Sequence, residues 1–199
     1  DTIRMDTNGA ALTLASTDFA NVTTVETLAL NGTGAQQVTL GAQTDAAFAS
    51  GITITTQAAA VSLNLQGALS TVGITATGTN NGDTLTGGSA NDSLTGGEGN
   101  DTLTGGAGID TLLGGDGDDV FVYANVSDLT DGSIGVDDVD GGAHVNGDII
   151  SLIQTSAITI AGGMEGRLRN IEQLHVDAAN AYAISISLNW DNITNTGIN

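Results

Sequence analysis

The sequence predicts an all-β fold, a parallel β-solenoid whose coils are closed by glycine-rich turns. Three observations carry that expectation. Five nonapeptides follow one another without a gap between residues 78 and 122. Outside them the apolar residues alternate with a period of two, as in "ALTLAS", "ITITT", "VSLNL" and "AISISL", which is the pattern of strands and not of helices. Proline is absent, so glycine and asparagine are left to form the turns.

Taken in order, residues 1–77 read as an N-terminal segment of solenoid-like strands, recurring about every ten residues with turn signals between them. Helical signal is thin, limited to a turn around Asp45–Ser50 and another near Met164–Asn170. Residues 78–122 are the repeat block: "GTNNGDTLT", "GGSANDSLT", "GGEGNDTLT", "GGAGIDTLL" and "GGDGDDVFV". Aspartate holds position six of every unit (Asp83, Asp92, Asp101, Asp110, Asp119), and one apolar residue holds position eight (Leu85, Leu94, Leu103, Leu112, Phe121). Residues 123–147 form an acidic connecting or capping segment, and residues 148–199 repeat the pattern of 1–52. A shift of 146 residues brings Leu12 onto Ile158, Glu26 onto Glu172, Leu28 onto Leu174 and Val38 onto Ile184. One residue of slippage adds Ile3 onto Ile150, so residue 148 reads as the start of a second module.

Charge narrows the function. Against 23 acids there are three basic residues, Arg4, Arg167 and Arg169, and the formal net charge is −20. Nucleic acid and anionic membrane surfaces are poor partners for such a chain. No apolar run approaches the roughly 18 residues of a transmembrane helix, so no membrane insertion is expected. Fourteen acids lie from Asp83 to Asp148 with no lysine or arginine among them. Repulsion of that density leaves a segment disordered unless cations neutralise it. With no cysteine in the chain, disulfides and thiolate metal sites are excluded.

The nonapeptide itself needs an ion. Its glycines allow the first six residues to turn tightly, and the last three form a short strand with one inward side chain. One apolar side chain for nine ordered residues offsets only part of the entropy lost on ordering them. In a coil of two units, unit n stacks on unit n+2, which lines up Asp83, Asp101 and Asp119 on one edge and Asp92 and Asp110 on the other. Carboxylates on strands about 4.8 Å apart repel unless a cation lies between them. Hard oxygen donors in a flexible setting select calcium over zinc or copper, and magnesium demands tighter octahedral geometry.

These units resemble the calcium-binding nonapeptide repeat G-G-x-G-x-D-x-U-x of the RTX (repeats-in-toxin) family. The resemblance implies a right-handed parallel β-roll with calcium between stacked turns. It implies as ligands the side chains of Asp83, Asp92, Asp101, Asp110 and Asp119 and carbonyls of Gly88, Gly97, Gly99, Gly106, Gly108, Gly115 and Gly117. The stacked pairs 83/101, 92/110 and 101/119 are three internal sites, in a roll holding roughly three to four calcium ions. Thr79, Asn81 and Ala90 replace turn glycines, which weakens the first turns. "DGGAHVNGDIISL" (140–152) resembles an expanded late unit whose Asp148 is a further ligand and a partner for Asp110. "DDVFVY" resembles a closing unit, with its aromatic residue covering the end of the roll.

No catalytic residues are assigned. His144 and His175 lack a zinc-type carboxylate motif and read as structural or surface residues. Asp116, Asp118, Asp137 and Asp138 read as a solvated acidic rim or outer calcium ligands, not as paired catalytic carboxylates. Trp190 and Tyr182 read as core or cap residues. No Gly-x-Ser-x-Gly elbow, His-Glu-x-x-His helix or phosphate loop occurs, so the chain is not expected to be an enzyme. The expected role is a calcium-dependent structural or assembly module of a secreted bacterial surface protein: a surface layer, adhesin or extracellular filament. It would self-associate with neighbouring copies or modules and fold on calcium after type I secretion. The alternative is an accessory RTX module of a secreted protease or lipase whose catalytic domain lies outside this chain. The "TLT" and "SLT" strands are too few to favour an ice-binding face.

Overall fold

A computed structural model gives the architecture. It describes residues 2–5, 11–14, 27–30, 36–40, 52–56, 61–64, 72–124, 129, 137–153, 158–160, 167–176 and 184–186. The expectations for Asp45–Ser50, Tyr182 and Trp190 lie outside the described residues.

Eighteen strands are described. Before the repeat block come β1 (Thr2–Met5), β2 (Ala11–Leu14), β3 (Thr27–Leu30), β4 (Gln36–Leu40), β5 (Ile52–Thr56), β6 (Val61–Asn64) and β7 (Ile74–Thr77). The block contributes β8 (Thr84–Thr86), β9 (Ser93–Glu98), β10 (Thr102–Thr104), β11 (Thr111–Asp116) and β12 (Val120–Tyr123). After it come β13 (Asp138–Ala143), β14 (Ile149–Leu152), β15 (Ile158–Ile160), β16 (Leu168–Arg169), β17 (Gln173–Val176) and β18 (Ile184–Ile186). The residues near Met164–Asn170 that read as a helical turn instead include β16, which pairs with β13.

All pairings among the described strands are parallel, as a coil that always advances in one direction requires. One sheet of eight strands runs β1-β3-β5-β7-β9-β11-β13-β16, and a second runs β2-β4-β6-β8-β10-β12-β14-β17. The chain therefore passes from one sheet to the other and back in each coil. The flanking strands thus continue the roll through its own sheets. β15 and β18 make a separate two-stranded sheet.

Register explains the core. In the first sheet Ile3, Leu28, Ile54, Ala76, Leu94, Leu112, Val139 and Leu168 sit opposite one another in succession. In the second, Leu85, Leu103, Phe121, Ile150 and Leu174 do the same. Leu85, Leu94, Leu103, Leu112, Phe121, Val139 and Ile150 are all fully buried. Strict alternation puts these residues inward and their neighbours outward, as in the buried–exposed pattern of Ile74–Thr77. Phe121 is an interior member of its column, because β12 pairs with β14 as well as β10. It does not cover the end of the roll.

Coil length varies along the axis. Stacked partners are 25 residues apart at Ile3/Leu28, 18 at Ala76/Leu94 and Leu94/Leu112, 27 at Leu112/Val139 and 29 at Val139/Leu168. The minimum of 18 is two nonapeptides, so the glycine turns give the tightest coils.

Candidate metal centre

The turns above these strands are built by glycine. Gly97, Gly106 and Gly115 at position two and Gly99, Gly108 and Gly117 at position four have positive φ, where a side chain is strained. A Cβ on Gly115 would also collide with the Gly97 carbonyl oxygen, and one on Gly117 with the Gly99 carbonyl oxygen. The turn backbones of units n and n+2 are thus packed directly on each other.

Between the turns stand two ladders of aspartates. On one edge the backbone N–H of Asp83 donates to Asp101 Oδ1 (2.7 Å), that of Asp101 to Asp119 Oδ1 (2.8 Å) and that of Asp119 to Asp148 Oδ1 (2.7 Å). On the other, Ile74 donates to Asp92 Oδ1 (2.9 Å), Asp92 to Asp110 Oδ1 (2.8 Å) and Asp110 to Asp137 Oδ1 (2.8 Å). Units n and n+2 are therefore in contact at each rung. Two residues fall differently from the sequence reading. Asp148 stacks on Asp119, not on Asp110, and the partner of Asp110 is Asp137, which is buried and does not belong to a solvated rim. Asp137 Oδ2 accepts from the Tyr123 hydroxyl at 3.0 Å.

Asp92, Asp101, Asp110, Asp119, Asp137 and Asp148 each accept their rung through Oδ1, and Asp92 Oδ2 accepts from the Gly88 N–H at 2.7 Å. Oδ2 of Asp101, Asp119 and Asp148 is buried and has no hydrogen-bond partner. A buried carboxylate oxygen in that state is costly unless a cation or proton meets it. Burial pushes the Asp101 carboxyl up to about 7, with the charges of Asp119 and Asp83 adding to the shift. Burial likewise raises Asp148 to about 6, and it raises Asp92 and Asp119. An oxygen-only donor set, anionic and stacked against turn carbonyls, fits calcium. Bound calcium would supply positive charge between the carboxylates, and the residues able to hold it are the ladder aspartates with the adjoining glycine turns. Gly88, Gly97, Gly99, Gly106, Gly108, Gly115 and Gly117 all lie in those turns, although Gly97 and Gly115 also belong to β9 and β11.

The first unit compensates for its missing glycine. Thr79 is buried, and both its N–H and its hydroxyl donate to Asp83 Oδ2, the hydroxyl at 2.9 Å. A second, outer ladder lies at position five. Asn91 Oδ1 accepts from Ile109 N–H (2.9 Å) and Asn100 Oδ1 from Asp118 N–H (3.1 Å). Asp118 accepts in turn from the N–H groups of Val145 (2.8 Å) and Asn146 (2.6 Å), and those bonds hold its carboxyl below the ordinary range. Sequence reasoning passed over this ladder, although Asn at position five of two successive units was its signal. Arg169 closes the far end of the first sheet by pairing with Asp138 and Asp140.

His144 is exposed. It lies against two carboxylates, Asp148 and Glu172, at the end of the first ladder. His175 is exposed on β17.

Among the described residues no helix is long and apolar enough to cross a membrane. No curated protein and no solved structure matches the chain. The family model of the RTX calcium-binding nonapeptide repeat, in four copies, matches residues 77–112 and 95–129. Those limits enclose the glycine turns and the regular rungs of both ladders, and the chain carries a block of RTX calcium-binding repeats.

Proposed function

We propose that this chain is a calcium-dependent structural and assembly module of a secreted bacterial surface protein, with no catalytic activity of its own. The observation that carries the reading is the pair of aspartate ladders. Among the described residues, the buried polar residues are Thr79 and seven aspartates, all of them in the ladders. A chain so arranged is disfavoured where calcium is scarce and stabilised where it is abundant, because metal binding and folding share one free energy. Export through type I secretion in the unfolded state, followed by folding outside, suits that linkage.

The assembly part of the reading is supported by the strand pairing. Ile3 faces Leu28 and Leu12 faces Val38. Their counterparts about 146 residues on, Ile150 with Leu174 and Ile158 with Ile184, face each other in the same way. The strand that corresponds to β1, namely β14, is stacked on the repeat block through β12. That contact is a template for one module following another in a surface layer, adhesin stalk or filament.

Circular dichroism in chelator and then in millimolar calcium tests the folding claim; full β signal already present in chelator sinks it. Electron microscopy in calcium tests assembly. End-to-end or lattice association is expected, and persistently monomeric particles would favour an accessory module of a secreted enzyme.

A further inference from the structure

The ladder that begins at Asp83 does not end on an aspartate. The N–H of Asp148 donates to Glu172 Oε2 at 2.9 Å, so a glutamate takes the place of the next rung. Beside it stands His144, the residue that follows β13, with Nδ1 3.3 Å from Glu172 Oε2 and 3.6 Å from Asp148 Oδ2. One ligand atom from each of the three lies within 4.8 Å of the others. We propose that His144, Asp148 and Glu172 form a mixed nitrogen–oxygen site for a divalent transition ion of the zinc class, chemically distinct from the oxygen-only calcium rungs.

Three observations meet here. The Asp148 side chain is fully buried, and its Oδ1 is held by the Asp119 N–H at 2.7 Å. Its Oδ2 has no hydrogen-bond partner and faces the imidazole. The spacing suits a small ion: tetrahedral bonds of about 2.0–2.1 Å set ligands roughly 3.3 Å apart, close to the two imidazole–carboxylate distances. The donor set differs in kind from the rest of the roll, since imidazole favours zinc, nickel or copper over calcium. His144 is exposed, which leaves an entry path and a position for water. A protonated His144 bridging the two carboxylates would occupy the same geometry, so the experiment has to separate a metal from a proton.

The site rests on the calcium-folded chain, so zinc chloride is titrated calorimetrically into the whole protein in millimolar calcium. One zinc per chain is expected to bind in millimolar calcium, taking Asp148 Oδ2 in place of any calcium held there. His144→Gln and Glu172→Gln should each weaken binding at least tenfold, and His175→Gln should leave it unchanged. Cobalt(II) should give the intense visible bands of a tetrahedral site in the wild type and not in His144→Gln. Absence of zinc binding overturns the proposal, as does a His144→Gln chain that binds like the wild type. A failure of the calcium reading shows separately, as no calcium response in circular dichroism.

Discussion

At the scale of single residues, burial has made carboxyl groups of the ladders reluctant to ionise. Asp101 is held up to about 7 and Asp148 to about 6, against about 3.8 for an ordinary aspartate. A folded-state value above the unfolded one contributes stability that is complete below about pH 4 and is lost as pH rises through 6 and 7. The metal-free roll should therefore lose β structure between pH 4 and 7.5. Calcium requires the ionised form, so its affinity should run the other way, weakening as pH falls from 7.5 to 5.5, with protons released on binding. Circular dichroism of metal-free protein against pH, paired with calcium titrations at each pH, checks both signs. A metal-free β signal that grows with rising pH would contradict the burial argument.

At the scale of elements, the glycine turn and the asparagine ladder make unequal contributions. Gly115 combines a φ of +118° with backbone where a Cβ would go. Gly115→Ala is expected to cost about 1–3 kcal/mol and to raise the calcium midpoint of folding severalfold. Asn100→Ala removes one exposed hydrogen bond to Asp118 N–H and should cost about 0.5–1 kcal/mol. Calcium titrations of the two variants compare them directly, and equal losses would show that the turn tolerates a side chain. The contrast also bears on what could be read from the chain. Glycines at positions two and four, aspartates at six and inward residues at eight followed from a fixed period of nine. Counting failed where the period did. Leu112 and Val139 are stacked across 27 residues instead of 18, so Asp137 rather than Asp148 reaches Asp110. Parallel pairing preserves register through a loop of any length, and sequence distance then no longer reports which turn lies above which. Phe121 follows the same rule: the nonapeptides end there, and the sheet does not. His144 and Glu172 are 28 positions apart in sequence, so only the stacking of coils reveals them as neighbours.

At the scale of the molecule, the apolar column is continuous from Ile3 to Leu168, whereas among the described residues the buried aspartates lie between Asp83 and Asp148. Calcium therefore acts directly on the middle of a solenoid in which each coil touches its neighbours, and its removal should spread by nearest-neighbour coupling. The spread should be asymmetric. On the N-terminal side, β1, β3, β5 and β7 stack in one sheet and β2, β4 and β6 in the other. That is enough coils to retain a core of their own, since about three repeats are needed for stability. On the C-terminal side, the described extension of the two long sheets beyond β13 and β14 is one strand in each, β16 and β17. Among the described residues, the stacking partners of those strands in these sheets are β13 and β14 of the roll. Hydrogen exchange read by mass spectrometry, with calcium and with chelator, should show protection lost first in 78–152. Loss should follow in 167–176, and come last and least in 2–64. Equal loss along the chain would mean that the solenoid melts as one unit, and earliest loss in 2–64 would mean that the N-terminal coils have no independent core.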